Sequence, residues 1–388
     1  MAISLMEKLL LLGASGSIGE QTLAIIKNKR SAFSLLGFSV GRQVEKIPSI
    51  LRDFPSVEHV YLIDEKKARV LQAKYPNVAF YFGEYGLAEL VKNTDYTLMV
   101  NALVGFVGLE PTLLALGNDK KVALANKEAL VVGGELIKRL LAQGKGALYP
   151  IDSEHVALTK CLQGQERSGV KRLILTASGG PFRTYSKAQL KNVTVAEALA
   201  HPSWSMGEKI TIDSATMMNK GFEIIEAYYL FDFPLEQIDV VIHPESKVHA
   251  LVEFQDGSFL ADIGPTSMAI PIAYGLYQGQ RPHQQYGSSL SFEEWKTWHF
   301  YPLDQKKFPA VKLAKTALSK GGIFPTVLNA ANEVAVYAFL EGKIAFSDII
   351  KLVEEALEVT DAIGPLSYQL IKEVDFATRA KVKEKIGI

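Results

Sequence analysis

Short apolar runs punctuate the chain from Lys8 to about Pro150, and each gives way to a stretch in which apolar residues recur every three or four positions. "KLLLL" leads into "SIGEQTLAIIKNK", "FSLLGFSV" into "VEKIPSILRDF", and "YTLMVNAL" is followed by "LEPTLLAL", "KVALA" and "KEALVVGGELIKRLLAQ". Continuous apolar strands separated by amphipathic helices predict a parallel sheet covered on both faces. Residues 1–150 therefore read as an N-terminal Rossmann-like, doubly wound parallel sheet, and the fold class as α/β.

The pattern changes after residue 150. "ALYPIDSEHVALTKCL" and "RLILTASGG" precede a polar stretch, then one helix over "SATMMNKGFEIIEAYYLF", then a second group of strands. Asp256-Gly257 stands between two alternating runs and predicts a hairpin. Residues 151–275 read as a central α+β domain. Gly, Gln, Ser and Pro without a period make 276–303 a linker. Residues 304–388 show i, i+3, i+4 spacing and predict a C-terminal helical bundle, with Ser347-Asp348 as a helix cap.

Composition narrows the function classes. Of 388 residues, 48% are hydrophobic and 22% charged, which is ordinary for a globular protein. Lys plus Arg (42) equal Asp plus Glu (42), so no net field attracts nucleic acid or an anionic membrane. A small-molecule partner is favoured. The single cysteine, Cys161, excludes an intrachain disulfide and a multi-thiolate zinc site. With no export signal or membrane span in the pattern, the expected location is cytoplasmic; a processed organellar form would look the same.

Candidate chemistry gathers at a few places. "GASGSIG" puts Gly13, Gly16 and Gly19 between a strand and a helix, where free helix amides stabilise a pyrophosphate. A ligand-free turn is the plain alternative. At the end of the second strand Gly41, Arg42 and Gln43 replace the acid that an NAD site would use, and a guanidinium there favours the 2′-phosphate of NADP. Asp152 and Glu154 are close enough to repel, a repulsion that a hard divalent cation relieves and that a helix start with a first-turn Glu also explains. Asn219, Lys220 and Glu223 share one helix face, either as a phosphate and metal cluster or as a surface ion pair.

The motifs "GASGSIG", "LANKEALV", "IDSEH", "TASGGPF", "HPSWSMG", "IDSATMMNKGFE" and "HPESKVH", in this order, resemble the 1-deoxy-D-xylulose 5-phosphate reductoisomerase family from Leu9 to the C-terminal helices. The resemblance implies an NADPH-dependent enzyme of the non-mevalonate isoprenoid route that uses Mg²⁺ or Mn²⁺, with Co²⁺ a further option, acts on a sugar phosphate and forms a homodimer. It implies Asp152, Glu154 and Glu223 as metal ligands and Lys127, Glu154, His201 and Glu223 as catalytic residues. Substrate would meet Lys127, Ser153, Glu154, Ser178, His201, Trp204, Ser214, Asn219, Lys220 and Glu223. NADPH would meet Ser15, Gly16, Ser17, Ile18, Gly41, Arg42, Gln43, Asn126, Glu128 and Gly207. "HPSWSMG" would be a mobile flap with Trp204 over the substrate.

The chain departs from the family pattern at Ser15 (usually Thr), Ala177 (often Gly), Arg42 and Gln43 (Lys and Asn) and Glu245 (Gln), and "GPTSM" replaces a more usual Pro-Asp-Met. Two rivals share the nucleotide loop. One is a semialdehyde or homoserine dehydrogenase; the semialdehyde enzyme requires an activated cysteine, and Cys161, late on a helix, is poorly placed. A non-catalytic NADPH sensor has no use for the carboxylates.

Overall fold

The computed structural model describes residues 6–204, 206–295, 297–361 and 364–388. The chain divides into two compact units: residues 1–129, 137–152 and 267–287, and residues 130–136, 153–266 and 288–388.

The first unit holds a seven-stranded sheet built from β1 (Glu7–Leu12), β2 (Phe33–Ser39), β3 (His59–Tyr61), β4 (Ala79–Tyr81), β5 (Leu98–Asn101), β6 (Lys121–Leu124) and β7 (Ala147–Pro150), in the order β4-β3-β2-β1-β5-β6-β7. Every pairing is parallel. The apolar runs explain this: Leu9, Leu10, Leu11 and Leu12 are all fully buried, so both faces of β1 need cover. Helix α1 (Ser17–Lys27) and the Ala269–Leu276 helix pack together on this sheet's core. Helix α2 (Lys127–Ala142) follows β6.

The second unit is built on a mixed sheet of β8 (Val170–Ala177), β9 (Ile238–Ile242), β10 (Val248–Phe254), β11 (Phe259–Ile263) and β12 (Tyr301–Pro302), ordered β11-β10-β8-β9-β12. The hairpin expected at Asp256-Gly257 joins β10 to β11. Strand β12 has two residues and pairs antiparallel with β9, a pairing too short for any sequence period to announce. Helix α3 (Ser153–Leu162) lies along β10 and β11 and is pinned by a Lys160–Asp262 ion pair at 2.9 Å.

The helix expected to start at Ser214 is two helices, α4 (Glu208–Thr216) and α5 (Met218–Phe231). Met217 between them has φ 66°, the left-handed region, and breaks the helical ladder while remaining buried. The C-terminal helices are α6 (Ala310–Lys320), α7 (Phe324–Leu340), α8 (Phe346–Glu358) and α9 (Tyr368–Ile386), with α7 packed among the other three. The cap of α8 differs from expectation. Ala345 precedes the helix and donates its backbone N–H to Asp348 at 3.0 Å, so Ser347 lies inside the first turn and does not cap it.

Candidate active site

In the first unit, β1 delivers the chain to Gly13, whose φ of +81° only glycine adopts freely; a Cβ there would stand 2.4 Å from the Ala102 carbonyl oxygen. The turn is tied to the end of β2, because Gly13 and Ala14 donate their N–H groups to the Ser39 hydroxyl and carbonyl, each at 2.8 Å. Gly16 precedes α1, and Ser17 and Ile18 open it. Ser15, Gly16, Ser17 and Ile18 therefore form a strand-to-helix loop whose leading amides can face an anion.

Gly41, Arg42 and Gln43 follow β2, with Arg42 and Gln43 exposed. A residue not singled out by the motifs links these two segments. Lys46 donates to the Ser15 carbonyl at 3.0 Å and pairs with Glu20 at 2.5 Å. Its only sequence signal is a cation shortly after Arg42.

Asn126 caps α2 by accepting the Ala129 N–H at 3.0 Å, while its amide donates to the Leu103 and Gly105 carbonyls at 3.0 and 2.9 Å. The side chain thus holds the loop after β5. Glu128 is buried, with a carboxylate oxygen 3.3 Å from the Asn126 amide. Lys127, also buried, reaches Asp152 at 2.7 Å.

In the second unit, α3 supplies Ser153 and Glu154, and α5 supplies Asn219, Lys220 and Glu223. The Ser153 hydroxyl donates to Glu154 at 2.5 Å. Lys220 bonds Glu154 at 2.8 Å and also bonds Glu223, while the Asn219 amide donates to the other Glu223 oxygen. Lys220 and Glu223 expose 3% and 1% of their side chains. Burial acts most strongly on the Lys220 ammonium and opposes its charge, yet the carboxylates of Glu154 and Glu223 outweigh that and raise its pKa above the ordinary lysine value. Behind them His155 is fully buried, its Nε2 2.9 Å from the Glu223 carbonyl, which ties α3 to α5.

Glu154 and Glu223 bring carboxylate oxygens within 4.8 Å of each other. Hard oxygen donors at this spacing fit a divalent cation of the Mg²⁺ or Mn²⁺ kind. Asp152 adjoins Ser153 along the chain.

A second cluster lies at the end of β8. His201 Nε2 is 3.1 Å from both the Ser178 and the Ser214 hydroxyls. Its Nδ1 accepts the backbone N–H groups of Ser203 and Trp204 at 3.2 and 2.9 Å. Since Nδ1 accepts, the ring's proton resides on Nε2 and can be donated to a serine. Burial holds the His201 pKa below its ordinary value. Trp204 lies 6.4 Å, ring to ring, from His249, a histidine of "HPESKVH" that the motif reading left without a role and whose pKa burial also lowers. Gly207 precedes α4. Ser205 of "HPSWSMG" falls outside the described residues. Asn219 and Lys220 bond the carboxylates, whereas Ser178, His201 and Ser214 bond one another, so the structure sorts the expected substrate residues into these two groups.

Residues 9–134 match the family described as 1-deoxy-D-xylulose 5-phosphate reductoisomerase, residues 148–231 that enzyme's C-terminal domain, and residues 263–381 the DXP reductoisomerase C-terminal domain. A 1-deoxy-D-xylulose 5-phosphate reductoisomerase of Geobacillus sp. (strain WCH70) is 46% identical over 379 residues, 97% of this chain and 99% of that protein. One from Listeria monocytogenes serotype 4b (strain F2365) is 44% identical with the same coverage. Among solved structures, the Zymomonas mobilis enzyme in complex with NADPH superposes with a TM-score of 0.90 at 37% identity, covering 98% of this chain and 99% of that one. A DOX-P reductoisomerase with NADPH, fosmidomycin and magnesium superposes with a TM-score of 0.91 at 38% identity, covering 98% of each. Motif order, fold and these relatives agree, and the chain belongs to the 1-deoxy-D-xylulose 5-phosphate reductoisomerase family.

Proposed function

We propose that this protein converts 1-deoxy-D-xylulose 5-phosphate to 2-C-methyl-D-erythritol 4-phosphate with oxidation of NADPH, in the presence of Mg²⁺ or Mn²⁺. The observation that carries the reading is the meeting of Glu154 and Glu223 around Lys220, two carboxylates from separate helices in a chain whose relatives carry this enzyme's name over nearly their full length. In this reading Asp152, two positions before Glu154, is the third metal ligand. The bound metal supplies Lewis acidity toward substrate oxygens and the bound nicotinamide supplies the reducing equivalent.

The chain's own residues bind and orient. Ser178, His201 and Ser214 offer hydroxyl and N–H groups suited to the phosphate, with Asn219 and Lys220 extending that set, and Ser153 and Lys127 serving the carbon end of the substrate. Lys127, Glu154, His201 and Glu223 are the groups able to hold or move a proton there. The His201–Trp204 segment folds onto the substrate and excludes water, so that binding of the remote phosphate assists the chemistry. Ser15, Gly16, Ser17, Ile18, Gly41, Arg42, Gln43, Asn126, Glu128 and Gly207 are assigned to NADPH, with Arg42 on the 2′-phosphate. Residues 1–150 serve the nucleotide, 151–275 the substrate and metal, 276–303 link, and 304–388 support as a helical domain.

The partner is a second copy of the chain. Supporting this, Ile174, Leu251 and Ala261 register in one row of the second sheet. A groove of about 460 Å³ there is lined by Leu251, Phe259 and Phe300, and Phe259 and Ile263 are exposed. Among the described residues no helix is long and apolar enough to cross a membrane. A cytoplasmic setting is proposed on the strength of the one buried cysteine, Cys161.

The deciding experiment follows absorbance at the nicotinamide band with deoxyxylulose phosphate, with and without a chelator. Substrate-dependent loss of NADPH that the chelator abolishes supports the reading, and no loss at saturating metal rejects it.

A further inference from the structure

Helix α4 starts where the His201–Gly207 segment ends and carries Ser214 near its far end. One face of α4 bears Lys209 and Asp213, a buried ion pair at 2.9 Å with 7% and 2% of the two side chains exposed. The other Asp213 oxygen accepts from the Asn332 amide of α7 at 2.8 Å. The Lys209 ammonium also stands 5.1 Å from the centre of the Phe222 ring. One turn before Asn332 on α7 lies Asn329, fully buried, with neither amide atom hydrogen-bonded among the described residues. Two amides and an ion pair in a core interior are a poor choice for stability alone, because apolar residues of similar size do as well or better there. The Asp213 carboxylate gives position, since its bonds to Lys209 and Asn332 are satisfied together in only one arrangement.

The opposite side of α4 is fixed by shape. Gly180, with φ +66°, lies so close that a Cβ would stand 2.8 Å from the Ser214 carbonyl oxygen and 3.1 Å from the Ala215 Cα. Helix α4 is therefore held between the turn after β8 and α7. Asp213 and Ser214 are consecutive, about 100° apart around the helix axis, so the bond from Asp213 to Asn332 sets the direction in which Ser214 points. That direction brings the Ser214 hydroxyl to His201.

We propose that Lys209, Asp213 and Asn332 are positioning residues that fix the rotation of α4 and thereby aim Ser214 at the substrate phosphate. The proposal rests on the reading that Ser214 binds that phosphate, and all three residues are buried. Asn332→Leu keeps the branching of the side chain and removes the bond; Asp213→Asn removes the charge.

The test uses the full chain and reads steady-state kinetics together with calorimetric binding of inorganic phosphate. In each variant the sugar-phosphate KM and the inorganic phosphate dissociation constant should rise about tenfold, the loss expected when a hydrogen bond to a charged group no longer holds its helix. The KM for NADPH and kcat should remain within about twofold of the parent, since the interaction lost is one of ground-state binding. The exchange Asp213→Asn with Asn332→Asp restores a carboxylate and amide pair and should recover phosphate affinity. If Asn332→Leu does not fold, Asn332→Ser is read by the same criteria. Unchanged phosphate affinity in folded variants, or equal losses for phosphate and NADPH, would overturn the proposal. Calorimetry does not depend on turnover, so a parent that binds phosphate without reacting faults the proposed reaction and still judges this network.

Discussion

Lys220 reaches from α5 to Glu154 on α3, Nζ to Oε1 at 2.8 Å, and so joins two helices through residues 66 positions apart in sequence. The same ammonium serves Glu223, which makes the lysine the charge that lets two carboxylates share a buried space.

Replacing Glu223 by Gln tests this arrangement. The amide keeps the shape, removes one anionic oxygen donor and can accept from only one of Asn219 and Lys220, so turnover should fall by at least about a hundredfold at saturating Mg²⁺, the scale of losing Lewis-acid assistance. Circular dichroism should show an unchanged fold. Retained turnover would take Glu223 out of the metal site.

Arg42→Asp should weaken NADPH about tenfold or more and leave NADH near its parental value, because only the 2′-phosphate pairs with a guanidinium and is repelled by a carboxylate. KM values for the two nucleotides, measured side by side, decide the matter. Equal losses would remove Arg42 from the 2′-phosphate.

His201 should titrate below 6.5, its ordinary value, because burial disfavours the charged ring. In the unfolded chain the ring takes a proton near pH ~6.5. As pH falls below that point the unfolded state binds the proton first, so the contribution of this group to stability, fully present above 6.5, declines until the lower folded pKa is passed. NMR of the imidazole gives the pKa, and denaturant midpoints between neutral and mildly acidic pH give the loss. His201→Gln should flatten that segment of the stability profile.

Phe259→Arg should yield a monomer by light scattering. Phe259 is half exposed and lines the groove of the second sheet, and in the proposed dimer a guanidinium there would have to lose its water. A dimer of parental affinity would move the interface elsewhere.

Much of the first unit was legible because its signals are local. The strand of Leu9 to Leu12, the glycine turn and the helix after it follow from residues within a single window, and Ser39 merely secures them. The hairpin at Asp256-Gly257 is equally local. Glu154 and Glu223 were a different matter, since a helix face announces which residues it groups but not which distant helix it will meet; family motifs supplied that pairing. Lys46 and Asn332 lie in no motif, and Asp213 sits inside "IDSATMMNKGFE" without a role that the motif announces, because a polar group that bonds another part of the same chain looks like any surface residue until the fold is known. The break at Met217 was invisible for a related reason: methionine favours helix, and only tertiary packing imposes the left-handed backbone there.

That single left-handed residue has a mechanical consequence. A continuous helix through Met217 would transmit any twist of α4 along its hydrogen-bond ladder into α5. With the ladder interrupted at Met217, the orientation of α4, held by Asp213 and Asn332, and the alignment of Asn219, Lys220 and Glu223 on α5 are set separately. Ser214 of one polar cluster and the Asn219, Lys220 and Glu223 of the other thus sit on neighbouring helices that share a backbone but not a hydrogen-bond ladder.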